Sequence, residues 1–347
     1  MADSDASMGS MPPAQLSRRM IIGFGLAAPT LAVPWLSGCT PSNPTVDSPA
    51  LTPGTPASSP PAGPTPMPSP TAAPNPSAAA AAPEQALAAF AAAILVGPHH
   101  KQLSKDRRQL LTFLRNTHTA HARAITNPLP TLAPAKIGGM SLNSSLALLS
   151  RREGAAASRY RSAARKAKGS EALLLGSLSA AAGSFASALG SSNPPGTSPV
   201  ANRQPVEVLS EIAAVQELVR QLHAIVYGYQ QAIGQFKVLS RQRPKAEREL
   251  LAQRIFRERL IAWLRKHAAD VPAAAPAYVP SIVPRNPATA GKLIMRMQTA
   301  LEPFCGLWLA AAVTQPDRQQ ALNALTNAMK TAHSWGAPLA AWPGYSS

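Results

Sequence analysis

The stretch "NPATAGKLIMRMQTALEPFCGLWLAA", Asn286–Ala311, decides how the chain is read. Ala290, Ile294, Met297, Leu301, Phe304, Trp308 and Ala311 advance by alternating fours and threes. That spacing places them on one face of an α-helix. Asn286 suits the cap, since its side chain can accept a hydrogen bond from the first turn. Pro287 suits the first helical position, where no amide donor is needed. Pro303 inside the stripe predicts a kink or a split into two helices, because proline removes one ladder bond.

Outward from this helix the same grammar repeats. The pattern predicts helices over 84–96, 102–126, 144–168 and 171–189, then over 205–239, 244–269, 287–313 and 317–334. Pro205 and Pro244 suit first turns as Pro287 does. Asp317 with Gln320 resembles a capping box. Leu209, Ile212, Val219, Val226 and Ile233 form an apolar seam on the fifth helix. No run of β-branched alternation argues for a sheet.

The connections point to bundles. "NPLPTLAPAKIGGMSL" separates the second and third helices, and "DVPAAAPAYVPSIVPRN" separates the sixth and seventh. A helix of ~25 residues is about 37 Å long, and a linker of ~16 extended residues spans that length. Each half can therefore run two helices, cross the bundle and run two more, the single long crossover of ferritin-like bundles. Glu153 and Tyr160 on the third helix share a seven-residue spacing with Leu222 and Tyr229 on the fifth. Together with the matched crossovers this suggests two related bundles or one duplicated unit.

The front of the chain is of another kind. Arg18 and Arg19 precede an uncharged apolar run, Met20–Leu36, which ends in Leu36-Ser37-Gly38-Cys39. A positive region, an apolar region and small residues before a cleavage point make a secretory signal. Paired arginines fit the twin-arginine route. The sequence Leu36-Ser37-Gly38-Cys39 resembles the lipidation site of bacterial lipoproteins, with cleavage after Gly38 and lipid on Cys39. From Pro41 to Pro83 the chain carries 14 prolines, no Lys or Arg, no aromatic residue and one acid, Asp47. Such a composition cannot bury enough apolar surface to fold. In an extended polyproline form it would reach roughly 130 Å. The expected organisation is a signal over 1–38, a lipidated linker over 39–83, a helical bundle over 84–200 and a second over 201–347. The expected location is the outer face of the cell membrane.

With Cys39 lipidated, Cys305 has no intramolecular partner. In "LEPFCGLWLAAA" it reads as a small core hydrophobe. The net charge of +17 would suggest nucleic acid inside a cell. For an exported chain it points to anionic lipid headgroups or acidic wall polymers instead, or to a solvated arginine-rich face.

Several segments resemble one known family. "LHAIVYGY" (222–229), "PAAAPAYVPSIVP", "QALNALTNAMKTAHSWGAP" and the closing "WPGY" (342–345) are similar to the ferritin-like domain of unknown function found in actinobacterial twin-arginine lipoproteins. The similarity is best over Gln204–Tyr345. "LLSRREGAAASRY" (148–160) resembles the region that precedes this domain. The resemblance implies an all-α, ferritin-like fold of four-helix bundles with the crossover between helices 2 and 3. Two departures stand out: Leu222 replaces the family's glutamate, and Gln253 stands where a histidine is usual. They imply that the second bundle binds no metal.

Di-iron chemistry in such bundles needs inward glutamates and Glu-x-x-His pairs. No glutamate here has histidine three residues on, and residues 84–347 hold 13 acids. One smaller constellation remains. His118 and His121, at i and i+3, face the same way on the second helix, and Glu153 lies on an inner stripe of the third. Two histidines and a carboxylate suit iron or manganese. The plainer reading makes them boundary residues, with Glu153 paired to an arginine. His99 and His100 read as exposed at a junction. His223, Gln216 and Gln230 read as a hydrogen-bonding seam. His267 and His333 read as partly protonated helix-end imidazoles. No nucleotide loop, zincin pair or nucleophile elbow is present. The expected function is an envelope lipoprotein with a binding or structural role and neither catalytic residues nor cofactor. The other readings are a metal-binding or oxidoreductase site in the first bundle, and a polyanion-binding anchor.

Overall fold

A computed structural model of the chain describes residues 78–346, apart from 127–128, 130–134 and 136. The export signal, Cys39 and most of the Pro-rich linker lie outside the described residues. Eight α-helices follow a short 3-10 turn. They are α1 (Ala81–Val96), α2 (Lys105–Ile125), α3 (Leu142–Lys166), α4 (Gly169–Gly190), α5 (Glu211–Ile233), α6 (Gln242–Lys266), α7 (Pro287–Ala311) and α8 (Gln315–Ser334). The chain is all-helical, as its periodicity requires. Among the described residues there is no strand, only an isolated parallel bridge between Thr197 and Leu339.

The helices fall into two groups. In the first, α1 packs on α2 and α3, and α3 on α4. In the second, α5 packs on α6 and α7, and α7 on α8. The groups share one continuous apolar core, because α4 also packs on α7 and α8. α4 carries almost no polar face, and a helix apolar all round must be covered all round. Gly176 makes the fit close, since a side chain there would overlap Leu309 of α7 and Leu322 of α8. α1 with its preceding turn, Ala78–Val96, and α4 are both long and apolar enough to cross a membrane. α4 is instead mostly buried among its neighbours.

Two arginines tie helix ends together. The Arg318 guanidinium, on α8, donates to Arg165 O at the end of α3 and to Ala312 O and Val313 O at the end of α7, at 2.8, 3.0 and 2.8 Å. Arg107 of α2 donates to Leu189 O and Ser191 O at the end of α4, at 2.7 and 2.6 Å. Helix C-termini leave carbonyls unpaired and carry partial negative charge. Guanidinium groups satisfy both demands at once.

Helix starts follow local chemistry, with three corrections. Asn286 caps α7 in a reciprocal capping box with Thr289. α5 begins at Glu211 rather than at Pro205, because the Ser210 side chain accepts from Ala213 N and sets the boundary. Its margins shift accordingly, leaving Ile212 exposed. α8 is capped by Thr314, whose hydroxyl accepts from Asp317 N and pairs with the Asp317 carboxylate. Asp317 is thus the third residue of the helix and not its cap. Pro303 does not split α7, which runs unbroken through it. Packing of both flanks, Leu301 and Cys305, outweighs one missing ladder bond. Cys305 is fully buried with a free thiol, as its apolar context requires.

Candidate metal centre

The interior of the first group is polar at one level. Glu84 on α1, His118 and His121 on α2, and Glu153 and Tyr160 on α3 are all buried. Helical spacing puts His118 and His121 on the same inward side of α2. Their rings meet edge to face at 5.8 Å between centroids.

The near ring nitrogens converge. Nδ1 of His118 and Nδ1 of His121 each lie 2.7 Å from Oε2 of Glu84. The far nitrogens are each held by a different acceptor. Nε2 of His118 lies 2.7 Å from Glu153 Oε1, and Nε2 of His121 lies 2.8 Å from the carbonyl of Ala341 in the C-terminal tail. Trp342, the next residue, packs its ring against His121 at 4.5 Å. Three buried oxygens, Glu84 Oε1, Glu153 Oε2 and the Tyr160 hydroxyl, make no hydrogen bond of good geometry, although the Tyr160 hydroxyl stands close enough to the Glu84 carboxylate to interact with it.

Each of the four ring-nitrogen contacts needs one proton. Two carboxylates and two imidazoles sharing four protons carry no net charge, which lowers the cost of burying them. The electrostatics agree for His118. Burial opposes its charge, but Glu153 and Glu84 on either side overcome that and raise it to about 10. For Glu84, burial alone would raise the pKa; the His118 and His121 rings beside it hold it well below the usual carboxylate range. Burial dominates at Glu153 and pushes its carboxyl up. Burial and the neighbouring Glu84 charge push the Tyr160 hydroxyl up.

Glu84, His118 and His121 are therefore a group with metal-ligand geometry, with one ligand atom from each lying within 4.8 Å of the others. Glu153 stands behind His118 rather than beside the converging atoms, and it pairs with that histidine rather than with an arginine. Glu84 carried no sequence signal beyond being an acid in an alanine-rich helix. The tail carbonyl of Ala341 carried none at all.

The equivalent level of the second group is different. Leu222 is fully buried among apolar side chains. Tyr229 donates to Glu249 at 3.1 Å and accepts from Gln298 Nε2 at 3.0 Å, while Trp335 Nε1 donates to Glu249 at 2.7 Å. Burial pushes the Glu249 carboxyl up. This network has no histidine. Gln253, on α6, leaves its Oε1 buried without a hydrogen-bond partner.

Of the remaining histidines, His99 is half-buried rather than exposed, and the other four bond backbone carbonyls. His223 and Gln216 bond the crossover segment at Pro272 O and Asp270 O, at 3.2 and 2.9 Å, while Gln230 is exposed. His100 lies half-buried over Gly97 O at 3.0 Å, not exposed. His267 bonds Trp263 O within its own helix at 2.8 Å. Burial lowers the pKa of His333, so it is a neutral imidazole over Ala337 O rather than a partly protonated one.

Residues 214–347 match a family described as "Domain of unknown function (DUF4439)". The match covers most of α5 and all that follows. No curated protein and no solved structure matches the chain. Glu84, His118 and His121, on α1 and α2, precede the DUF4439 segment. Ala341 and Trp342, which orient His121, lie inside it. The centre thus joins residues from both parts of the chain.

Proposed function

We propose that the first helical group holds a divalent first-row transition-metal ion on Glu84, His118 and His121. One observation carries the reading. The two Nδ1 atoms face one carboxylate oxygen, while both Nε2–H groups are fixed by outer acceptors, Glu153 and Ala341 O. Metal-binding histidines are oriented in this way, and the acceptor behind the ring raises ligand basicity. Two histidines and one carboxylate suit iron and manganese, and imidazole suits zinc as well. Ligand atoms around an ion at about 2.1 Å stand roughly 3 Å apart. The two 2.7 Å Nδ1–Oε2 contacts have to open by about 0.3 to 0.7 Å to admit one, depending on whether it is octahedral or tetrahedral. A divalent ion that displaces the two protons between Glu84 and the Nδ1 atoms leaves the buried charge unchanged. The orphan Glu84 Oε1 offers a further oxygen. The helix order, with a long crossover after each second helix, supports a ferritin-like origin for such a site.

A second reading has its own support, because every ring nitrogen already has an acceptor within 2.8 Å. On that reading the cluster is a proton-bridged structural element. Metal analysis separates the two. The full chain, purified without affinity-tag metal, should carry about one iron, manganese or zinc ion. His121→Ala should lose it with its helix content retained. Glu153→Gln should weaken affinity about 10- to 100-fold, as loss of an outer partner does. A wild-type chain that takes up none of the three ions leaves only the structural reading.

The proposal places this centre at the cell envelope. The Arg18-Arg19 signal, the Leu36-Ser37-Gly38-Cys39 site and the long spacer support export and lipid anchoring. Cys39→Ser should shift the protein out of the membrane fraction or leave its signal uncleaved. A variant that is processed and sediments with membranes like wild type would remove Cys39 as the anchor.

A further inference from the structure

We propose that a cavity between the C-terminal tail, α7 and the segment preceding α5 binds a small zwitterion, a molecule of free amino-acid size carrying one ammonium and one carboxylate group. The cavity holds about 200 Å³. At ~30 Å³ per water that is the space of about seven waters. It is smaller than the pockets that take drug-sized ligands.

Its two charged groups define the chemistry. Glu302 lines the cavity, is 7 % exposed and has no hydrogen-bond or ion-pair partner among the described residues. Burial alone pushes its carboxyl up to about 8. A carboxyl this buried is costly unless something pairs with it. Arg203 lines the same cavity, and no carboxylate among the described residues pairs with it. Its guanidinium lies 5.7 Å over the Tyr345 ring and only 3.5 Å from the Tyr345 hydroxyl, a weak contact. A guanidinium and a carboxyl that share a cavity without touching are complementary to a ligand that spans them, because an ammonium beside Glu302 favours its ionised form, with the proton passing to water. A simple amine would meet Arg203, and a simple anion would meet Glu302. A zwitterion satisfies both, with the guanidinium fork on its carboxylate and Glu302 on its ammonium.

The walls are built rather than loose. Trp342 and Tyr345 stand nearly perpendicular, 6.0 Å apart. The Trp342 N–H is used on Ala201 O at 2.9 Å, so its apolar ring faces are left for packing. Backbone bonds from Ser198 N to Leu339 O and from Leu339 N to Gly196 O, at 2.9 and 2.7 Å, pin the tail to the linker segment. Aromatic rings near an ammonium add cation–π attraction.

The test is calorimetry on the full chain in excess chelator, so that the result is independent of metal. The probes are L-alanine, L-leucine and glycine betaine, with methylammonium and acetate as single-charge controls. At least one zwitterion should bind at millimolar or lower concentration, more tightly than either control. Glu302→Gln and Arg203→Gln should each weaken it about tenfold or more, the effect of losing a charged hydrogen bond. Unchanged or higher thermal stability of Glu302→Gln would show that its loss of binding is not unfolding. Silence from every zwitterion, equal binding of the controls, or full binding by both variants would overturn the proposal.

Discussion

Glu84→Ala is expected to abolish metal uptake and to lower the unfolding free energy by about 3–5 kcal/mol, the cost of breaking a buried charged pair by removing one partner. The size follows from the position of Oε2. It faces Nδ1 of both histidines at 2.7 Å, so one deletion leaves two buried Nδ1 atoms without their acceptor. The pH dependence gives the assignment a second handle. The Glu84 pKa is depressed, so its contribution is present above its unfolded value near 4.5 and is lost as pH falls. The His118 pKa is raised to about 10 from 6.5. Its contribution is complete below 6.5 and is lost as pH rises toward 10. The raised Glu153 acts in the same direction as His118. Metal-free wild type should therefore be most stable near pH 4.5, losing stability below it through Glu84, above it through Glu153, and more steeply above about 6.5 through His118. Without Glu84 the acid limb from this cluster disappears. The alkaline loss from His118 still begins near 6.5 but is smaller and complete at lower pH, because His118 keeps only Glu153. Urea unfolding at pH 3, 5, 7 and 9 in chelator reads both limbs. A cost below about 1 kcal/mol with both limbs unchanged would mean that the cluster is not charge-paired in solution.

Much of this was readable in the chain before any coordinates, and the reasons for the exceptions are specific. The helices were legible because apolar spacing and proline punctuation are local signals. Their ends were less so. Pro205 and Ser210 both invite a helix start, and the side-chain bond from Ser210 to Ala213 N decides between them. Thr314 takes the cap of α8 for the same reason. His118, His121 and Glu153 could be named as a set because two lie one turn apart and the third interrupts an apolar stripe. Glu84 could not. α1 is alanine-rich and almost equally apolar all round, so no pattern marks which face is inward. Its partners lie 34 and 37 positions away. Ala341 acts through a backbone carbonyl 220 positions from His121, and side-chain identity says nothing about that. The Glu302 cavity was hidden likewise, since it exists only where the tail folds back on α7.

That tail is the subject of the other large expected effect. Gly306→Ala is expected to destabilise the protein by about 1–3 kcal/mol or more, as overpacking against a rigid neighbour does. A methyl group at Gly306 would overlap the Gly344 carbonyl oxygen and stand 2.8 Å from its carbon and 2.9 Å from its Cα. These are backbone atoms, so no rotamer relieves the clash. Gly344 is itself at φ +87°, in the left-handed region that favours glycine, so the tail has little freedom to adjust. The displaced segment includes Ala341 and Trp342. His121 then loses its outer acceptor and its ring contact, so metal affinity should fall about 10- to 100-fold in the same variant. Gly183→Ala is the control. It too adds a methyl group inside a helix, but its nearest foreign atom is the Ala157 side chain at 3.9 Å. Helix propensity alone should make that variant neutral or more stable by about 0.5–1 kcal/mol. Thermal unfolding of the pair, with Trp342 accessibility followed by fluorescence quenching, separates the two cases. If Gly306→Ala matched Gly183→Ala in both readouts, the tail would not be seated against α7, and its role in orienting His121 would fall with it.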